Sequence, residues 1–263
     1  MEVRLDGKVA LITGGSLGLG LAMARRFAEA GASVGITARQ PGPLEAARAE
    51  ISAAGAGNRV TAVPADVSDA AACAAVHSRV AEELGPVDIL VNNAGTSQRG
   101  PFLEIGDELW QHDFDLKLFA AIRLARLVLP GMRERRWGRI INVLNTGAKA
   151  PPAEGAPTAV SRAAGLALTK VLANEVAGDN VLVNALMVGL IDSNQHRVRH
   201  AAGGGSESYE AFLEDMAATN RIPLGRVGRA EEFADIACFL ASDRASYTTG
   251  VAINVDGGRS PVV

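Results

Sequence analysis

Short apolar runs alternate with helix-like segments along the whole chain, and this alternation limits the possible folds more than any other sequence feature. The runs are KVALIT (8–13), SVGIT (33–37), VTAVPA (60–65), DILVNN (88–93), RIINVL (139–144), VLVNAL (181–186) and VAINV (251–255). Runs of this length without polar alternation are typical of strands buried on both faces. Because helices separate them, the sequence predicts an α/β fold with a doubly wound parallel sheet.

Glycine and proline mark the ends of the helical segments. We predict helices at 21–30, 44–54 and 69–84, which end before Gly31, Gly55 and Gly85. One irregular insertion, at about 191–221, is glycine-rich and polar before it turns helical. A loop of that length in a compact domain is usually a lid or disordered. We therefore expect one domain over residues 1–263, with a substrate lid at about 191–221.

Composition excludes several classes of partner. The formal net charge is -3 and the pI about 5.9, so we expect neither a nucleic-acid nor an anionic-membrane partner. The one basic run, RERRWGR (133–139), is typical of a solvated helix end. Two cysteines without a C-x-x-C motif fit a reducing compartment, and no signal-peptide or membrane-span pattern is found, so we expect a cytoplasmic protein.

The segment TGGSLGLG (13–20) joins the first predicted strand to the first helix. Glycines at 14, 18 and 20 allow a tight turn and a close approach of a pyrophosphate, whose charge then lies at the N-terminus of the helix. A tight turn without a ligand is the alternative. The strand-turn-helix context favours dinucleotide binding.

Four segments together resemble the short-chain dehydrogenase/reductase family, most closely its ketoacyl-reductase-like branch. They are the Gly14-x-x-x-Gly18-x-Gly20 spacing, ADVSD (65–69), NNAG (92–95) and the C-terminal IPLGRVGRAEEFADIACFLASDRASYTTGVAINVDGG (222–258). The resemblance covers nearly the whole chain and implies a Rossmann-like fold. It also implies cofactor contacts from Gly14, Ser16, Leu17, Gly18, Leu19, Gly20, Asp66, Val67, Asn93, Ala94 and Gly95.

The end of the second strand indicates which dinucleotide is bound. An acidic residue there would hydrogen-bond the ribose 2'-hydroxyl of NAD, but the chain reads ITARQ (36–40), with Arg39 next to Thr37 and Ala38. A guanidinium can pair with the 2'-phosphate of NADP, although a surface arginine after a strand is the alternative. We therefore predict NADP(H) in preference to NAD(H).

The catalytic positions of the family are occupied here by other residues. The resemblance places Asn145 at the family's serine, Thr158 at its tyrosine, Arg162 at its lysine and Lys117 at its asparagine. The proline-glycine that usually follows the sixth strand is Val188-Gly189, and Gly189 is expected at the cofactor. The adenine and pyrophosphate half of the site is thus retained, while the half around the nicotinamide is changed.

The replacements differ in what they can do. An aliphatic hydroxyl is a much weaker acid than a phenol, so Thr158 is expected to contribute little. Asn145 could polarise a carbonyl oxygen, and Arg162 could bind ribose without relaying a proton. Lys117, in a partly buried cleft beside a guanidinium, would have a lowered pKa and could act as an acid.

Two histidines of the predicted lid need a separate interpretation. His196 and His200 have the i, i+4 spacing of a metal pair, but Arg197 and Arg199 would repel a cation, so we expect no metal site. Either histidine could instead bring a proton donor into the cleft when the lid closes.

Three functions fit the sequence. The first is an NADP(H)-dependent oxidoreductase that acts on a small carbonyl or alcohol substrate. The second is a catalytically silent, cofactor-binding subunit in a hetero-oligomer with an active relative, and the third is a non-redox enzyme on the same fold. The retained glycine loop and NNAG segment favour the first.

The helix predicted over 159–176 bears on assembly. It is apolar over more of its circumference than one buried face requires. The surplus predicts a helix-packed interface in a homodimer or homotetramer, as the family forms.

Overall fold

The computed structural model describes residues 2–55, 57–203 and 208–263, and it confirms the doubly wound parallel sheet. All neighbouring strands pair in parallel, in the order β3-β2-β1-β4-β5-β6-β7. The strands are β1 (Val9–Thr13), β2 (Ser33–Ala38), β3 (Val60–Pro64), β4 (Ile89–Asn92), β5 (Gly138–Asn145), β6 (Val181–Val188) and β7 (Ala252–Val255). Every predicted strand is present.

Nine α-helices are formed within the described ranges. They are α1 (Gly18–Glu29), α2 (Pro41–Ala54), α3 (Ala70–Leu84), α4 (Asp107–Phe114), α5 (Ala120–Glu134), α6 (Thr158–Val176), α7 (Asn194–Ala202), α8 (Tyr209–Thr219) and α9 (Ala230–Ala241). A π-helical turn, Asp115–Phe119, joins α4 to α5. Along the part of the chain described, no helix is both long and apolar enough to span a bilayer.

Apolar cores lie on both faces of the sheet. On one face, Phe27 of α1 and Phe233 of α9 are fully buried against strand residues such as Ile12. On the other, Val76 of α3 and Leu124 of α5 pack with their neighbours against the strands. Burial on both faces explains why the strand sequences lack polar alternation.

The segment predicted as an irregular lid is largely helical. It contains α7 and α8, while residues 204–207, part of the predicted glycine-rich core, lie outside the described residues. Ser208 caps α8, because its side chain accepts a hydrogen bond from the Ala211 amide at 3.1 Å. The Tyr209 hydroxyl donates to the Asp192 carboxylate, which ties α8 to the chain before α7.

The sequence indicated a solvated helix end at 133–139, but this basic run is not fully solvated. Arg139 is 1% exposed, and its guanidinium lies 4.4 Å from the centre of the Trp137 ring. It also pairs with Asp243 at 3.2 Å. The stack and the ion pair together account for a charged residue inside a strand.

The strand order reverses between β1 and β4. In open α/β sheets, ligands bind in the crevice at the carboxyl ends of the strands beside such a switch point. The glycine loop after β1 and the NNAG segment after β4 both lie at that edge.

Candidate active site

A cleft of about 1300 Å³ opens at the carboxyl edge of the sheet. Every residue that the sequence predicted to contact the cofactor lines it: Gly14, Ser16, Leu17, Gly18, Leu19, Gly20, Arg39, Asp66, Val67, Asn93, Ala94, Gly95 and Gly189. Asn145, Thr158 and Arg162 also line it, whereas the Lys117 side chain is fully buried. The structure thus brings these positions together, while their roles stay predictions.

The glycine loop is shaped for a close backbone approach. Gly14 has a φ of +66°, a conformation that favours glycine, and a Cβ at Gly20 would lie 2.1 Å from the Gly14 carbonyl oxygen. Helix α1 starts at Gly18 without a side-chain cap from Leu17. Its first-turn amides are therefore available to an anion in the cleft, which fits a pyrophosphate.

Hydrogen bonds fix the glycine loop to the segment after β4. The Thr13 hydroxyl oxygen accepts from the Asn93 and Ala94 amides, both at 3.0 Å. The Asn93 side chain donates to the Thr13 and Gly14 carbonyl oxygens at 2.9 and 3.1 Å. Asn93 therefore holds the two loops of the switch point in register, besides facing the cleft.

The end of the cleft beside β2 contains a positively charged side chain, that of Arg39. Thr37, Ala38, Arg39 and Gln40 line it, and none is acidic. Asp66 lies nearby. Burial opposes its ionisation, but hydrogen bonds from Ser68 and the charge of Arg39 leave its pKa below the usual value. The arginine can still meet a phosphate, since it forms no ion pair with a described carboxylate.

The residues that the resemblance assigned to catalytic positions lie close together at one wall of the cleft. Asn145 ends β5, Thr158 begins α6 and Arg162 follows one turn later. Lys117 lies in the π-helical turn, and its Nζ donates to the Thr158 Oγ1 at 2.7 Å. Turns of this kind often occur at functional sites. The ammonium reaches the cleft through Thr158 and not directly.

A buried carboxylate holds Lys117 in place. Lys117 Nζ also donates to Asp113 Oδ1, and the Ser161 hydroxyl donates to Asp113 Oδ2 at 2.6 Å. Both charged side chains are 0% exposed. Burial lowers the pKa of Lys117 to about 8, although the Asp113 hydrogen bond opposes this, and the charge of Arg162 adds to the lowering.

The Thr158 hydroxyl is oriented by its partners. Its oxygen accepts from Lys117 Nζ and from the Gln98 amide, the latter at 3.0 Å. A hydroxyl has two lone pairs and one hydrogen, so both acceptor positions are used. Thr158 makes no donated bond to any described residue, so its hydrogen is available to a molecule in the cleft.

Arg162 and Asn145 complete this wall. Arg162 Nη1 donates to the Val143 carbonyl oxygen at 2.7 Å, and burial lowers the pKa of Arg162 to about 10, with Asp113 opposing. A Cβ at Gly95 would lie 2.3 Å from Arg162 Nη2, so the NNAG glycine gives the guanidinium its space. Asn145 Oδ1 is buried without a partner among the described residues.

Sequence reasoning missed Asp113, Ser161 and the Gln98 amide. The i, i+4 spacing of Asp113 and Lys117 was the available signal, since such residues are neighbours on a helix. Ser161 and Gln98 gave no comparable signal, because packing of α4 against α6 brings Ser161 to the pair, and the segment after β4 brings Gln98 to the start of α6. Gly189 has a packing role as well: a Cβ there would lie 2.4 Å from Asp256 Cβ.

The two histidines of the predicted lid have different surroundings. His196 lines the cleft, its Nδ1 is buried without a partner among the described residues, and burial lowers its pKa. His200 packs against the rings of Tyr209 and Phe212, at 5.5 and 5.2 Å between centroids. The described residues contain no group of three or more His, Cys, Asp or Glu placed to hold a metal.

Comparisons with known proteins find relatives that are similar in sequence and in fold. Residues 14–260 match a family model described as enoyl-(acyl carrier protein) reductase. The chain is 33% identical over 258 residues to the 3-oxoacyl-(acyl-carrier-protein) reductase FabG of Escherichia coli, covering 97% of this chain and 98% of that protein. It is 37% identical to L-sorbose reductase from Gluconobacter frateurii, solved with NADPH and L-sorbose, with both chains fully covered and a TM-score of 0.93. It is 36% identical to an NADPH-bound short-chain oxidoreductase from Pseudomonas aeruginosa PAO1 that contains an atypical catalytic center, with 99% and 100% coverage and a TM-score of 0.92.

Proposed function

This chain belongs to the short-chain dehydrogenase/reductase family of oxidoreductases, and we propose that it reduces a carbonyl compound with NADPH, using Lys117 in place of the family's tyrosine as proton source. The observation that carries the proposal is the hydrogen bond from buried Lys117 Nζ to the Thr158 hydroxyl at the cleft wall. An aliphatic hydroxyl alone is too weak an acid, but one joined to an ammonium can pass a proton on.

The retained residues fit a dinucleotide. The amides at the start of α1 would receive the pyrophosphate, and Arg39 the 2'-phosphate. Arg162, set against Gly95, would hold the nicotinamide ribose. When bound, NADPH supplies the hydride that reduces the carbonyl carbon.

Protein groups complete the reaction at the carbonyl oxygen. The Asn145 amide lines the cleft and can donate a hydrogen bond that polarises the oxygen. Thr158 gives its hydroxyl proton to that oxygen as negative charge develops there, and Lys117 replaces it through the bond between Nζ and Oγ1. With its pKa near 8, Lys117 is mainly protonated at neutral pH and so can supply this proton.

The other two functions are less well supported. Burying the charges of Lys117 and Asp113 completely costs free energy. A silent subunit would gain nothing from this buried lysine and its hydrogen bond to the cleft wall. A non-redox enzyme could use a bound dinucleotide only structurally, so the glycine loop and Arg39 after β2 favour it less than they favour the reductase. Oxidation of NADPH in stoichiometric amounts with a carbonyl panel supports the reductase. Failure of every carbonyl, with co-purification of an active homologue, supports the silent subunit instead.

We expect the protein to bind NADPH at least about tenfold more tightly than NADH. A charged hydrogen bond to the 2'-phosphate contributes on the order of 1.5–3 kcal/mol. Arg39→Ala should therefore reduce the difference in affinity between NADPH and NADH, mainly by weakening the binding of NADPH. Titration calorimetry with NADPH and with NADH measures both affinities. Arg48→Ala removes an exposed arginine outside the cleft and serves as the control. Equal affinities in the unmodified protein contradict the assignment.

We also propose that the chain assembles through α6 as a homodimer or homotetramer. Val160 and Val171, both on α6, are 46% and 59% exposed in the single chain. Apolar side chains exposed on one helix are stabilised when a second copy covers them. Light scattering should therefore give a multiple of the chain mass at micromolar concentration, whereas a stable monomer refutes the proposal.

A further inference from the structure

The cleft is strongly cationic although the protein is acidic. Its lining contains the arginines at 39, 99, 162, 199, 221 and 259, against Asp66 as its one carboxylate among the described residues. The whole chain has a formal net charge of -3. Positive charge is therefore concentrated at this opening, where low-dielectric walls strengthen its field.

Four of these arginines form what we call the rim: Arg99, Arg199, Arg221 and Arg259. Arg99 pairs through its backbone with Pro157, next to Thr158, and Arg199 lies on α7. Arg221 and Arg259 lie on adjoining segments, since Arg259 Nη2 donates to Asn220 Oδ1 at 3.1 Å. The rim thus lines the cleft from four segments of the chain, and Arg99 lies beside the start of α6.

The rim arginines have no carboxylate partner in the part of the chain that the structure describes. Other arginines of the same region do: Arg197 pairs with Asp192 at 3.1 Å and Arg226 with Glu232 at 2.6 Å. The carboxylate nearest in sequence to Arg259, Asp256, accepts instead from the Gly258 and Ser260 amides, at 3.0 and 2.7 Å. No described carboxylate therefore neutralises the charge of the rim.

The phosphates of a bound dinucleotide would lie too far away to neutralise all of the rim's charge. Arg39 follows β2, whereas Arg259 follows β7, five strand intervals along the sheet. At about 4.8 Å per interval this is on the order of 24 Å. A pyrophosphate at the glycine loop after β1 would lie four strand intervals from β7, on the order of 19 Å, which leaves Arg259 for another group.

We propose that the substrate of this site carries an anionic group, a carboxylate or a phosphate, which Arg221 and Arg259 bind while its carbonyl faces Thr158. This inference rests on the proposed reductase function. Guanidinium groups bind both oxyanions through paired N–H donors, which would also orient the carbonyl. Arg99 and Arg199 add to the field that draws the anion into the cleft.

Two matched pairs of ketones test the proposal: acetoacetate with methyl acetoacetate, and dihydroxyacetone phosphate with dihydroxyacetone. We expect the NADP⁺-loaded protein to bind at least one anion about tenfold or more tightly than its neutral partner in calorimetry. The pair that shows the preference distinguishes carboxylate from phosphate. In turnover with NADPH, the same anion should have the lower KM at similar kcat.

The double variant Arg221→Gln/Arg259→Gln should lose this preference through a raised KM, with no change for the neutral ketone. Arg48→Gln, outside the cleft, should keep it. Equal or absent binding of both members of each pair, or a preference that survives in the double variant, overturns the inference. Reduction of the neutral ketones alone leaves the reductase function standing, whereas anion binding without reduction of any carbonyl contradicts that function only.

Discussion

Replacing Lys117 with methionine is expected to lower the turnover number by about two to four powers of ten, the range typical of general acid-base catalysis. NADPH affinity should change little, because the Lys117 side chain is fully buried behind Thr158 and does not line the cleft. Single-turnover oxidation of NADPH measures the first quantity, and titration calorimetry the second.

A second variant controls for misfolding of Lys117→Met. Lys117→Met leaves the Asp113 carboxylate buried without its partner, which costs on the order of 3–5 kcal/mol. Asp113→Asn/Lys117→Met removes that charge and should be equally slow while remaining folded. Lys8→Met removes an ammonium that lies 3.8 Å from the centre of the Trp137 ring, at the opposite edge of the sheet, and should keep full activity. Normal turnover in the double variant refutes the role of Lys117.

Thr158→Val is expected to lower turnover by about two powers of ten, whereas Thr158→Ser should stay within about tenfold of the unmodified protein. Valine keeps the shape of threonine but cannot connect Lys117 to the cleft. Serine keeps the hydroxyl that accepts from Lys117 Nζ and the Gln98 amide. Comparing both variants at saturating NADPH separates the loss of the relay from the loss of packing.

This expectation differs from the one that the sequence supports. Considered alone, Thr158 is a weak acid and contributes little, but the structure places an ammonium 2.7 Å behind it. If Thr158→Val keeps its activity while Lys117→Met does not, Lys117 acts by another route. Loss of activity in neither variant directs attention to His196, which also lines the cleft.

The sequence predicted the sheet well because strands buried on both faces consist of short apolar runs. The prediction was less accurate where a single residue determines where a helix begins. Helix α2 begins at Pro41 and not after Pro43, since proline fits the first turn of a helix. In the insertion before α9, the helical end that the sequence predicted is α8, which the Ser208 cap and the bond between Tyr209 and Asp192 support, but α7 was not predicted.

In the candidate site, too, some features could be predicted from the sequence and others could not. The glycine loop could be located from its glycine spacing between a strand and a helix, and the NNAG segment from its resemblance to the family. The position of Lys117 was also predictable, but its surroundings were not. The carboxylate of Asp113 and the hydroxyl of Ser161 meet only when α4 packs against α6, so no local pattern shows that the lysine is buried, paired and one hydroxyl away from the cleft.

The pH dependence of turnover tests most directly whether Lys117 supplies the proton. We expect carbonyl reduction to be constant on the acid side and to fall as the pH rises through about 8, because reduction needs the protonated ammonium. Asp113 raises the pKa of Lys117 by its hydrogen bond and its charge, so Asp113→Asn should move the fall to lower pH. Thr158→Ser should leave its position nearly unchanged. A fall at the same pH in the unmodified protein and in Asp113→Asn, or none while the protein stays folded, would contradict the assignment of Lys117 as the proton source.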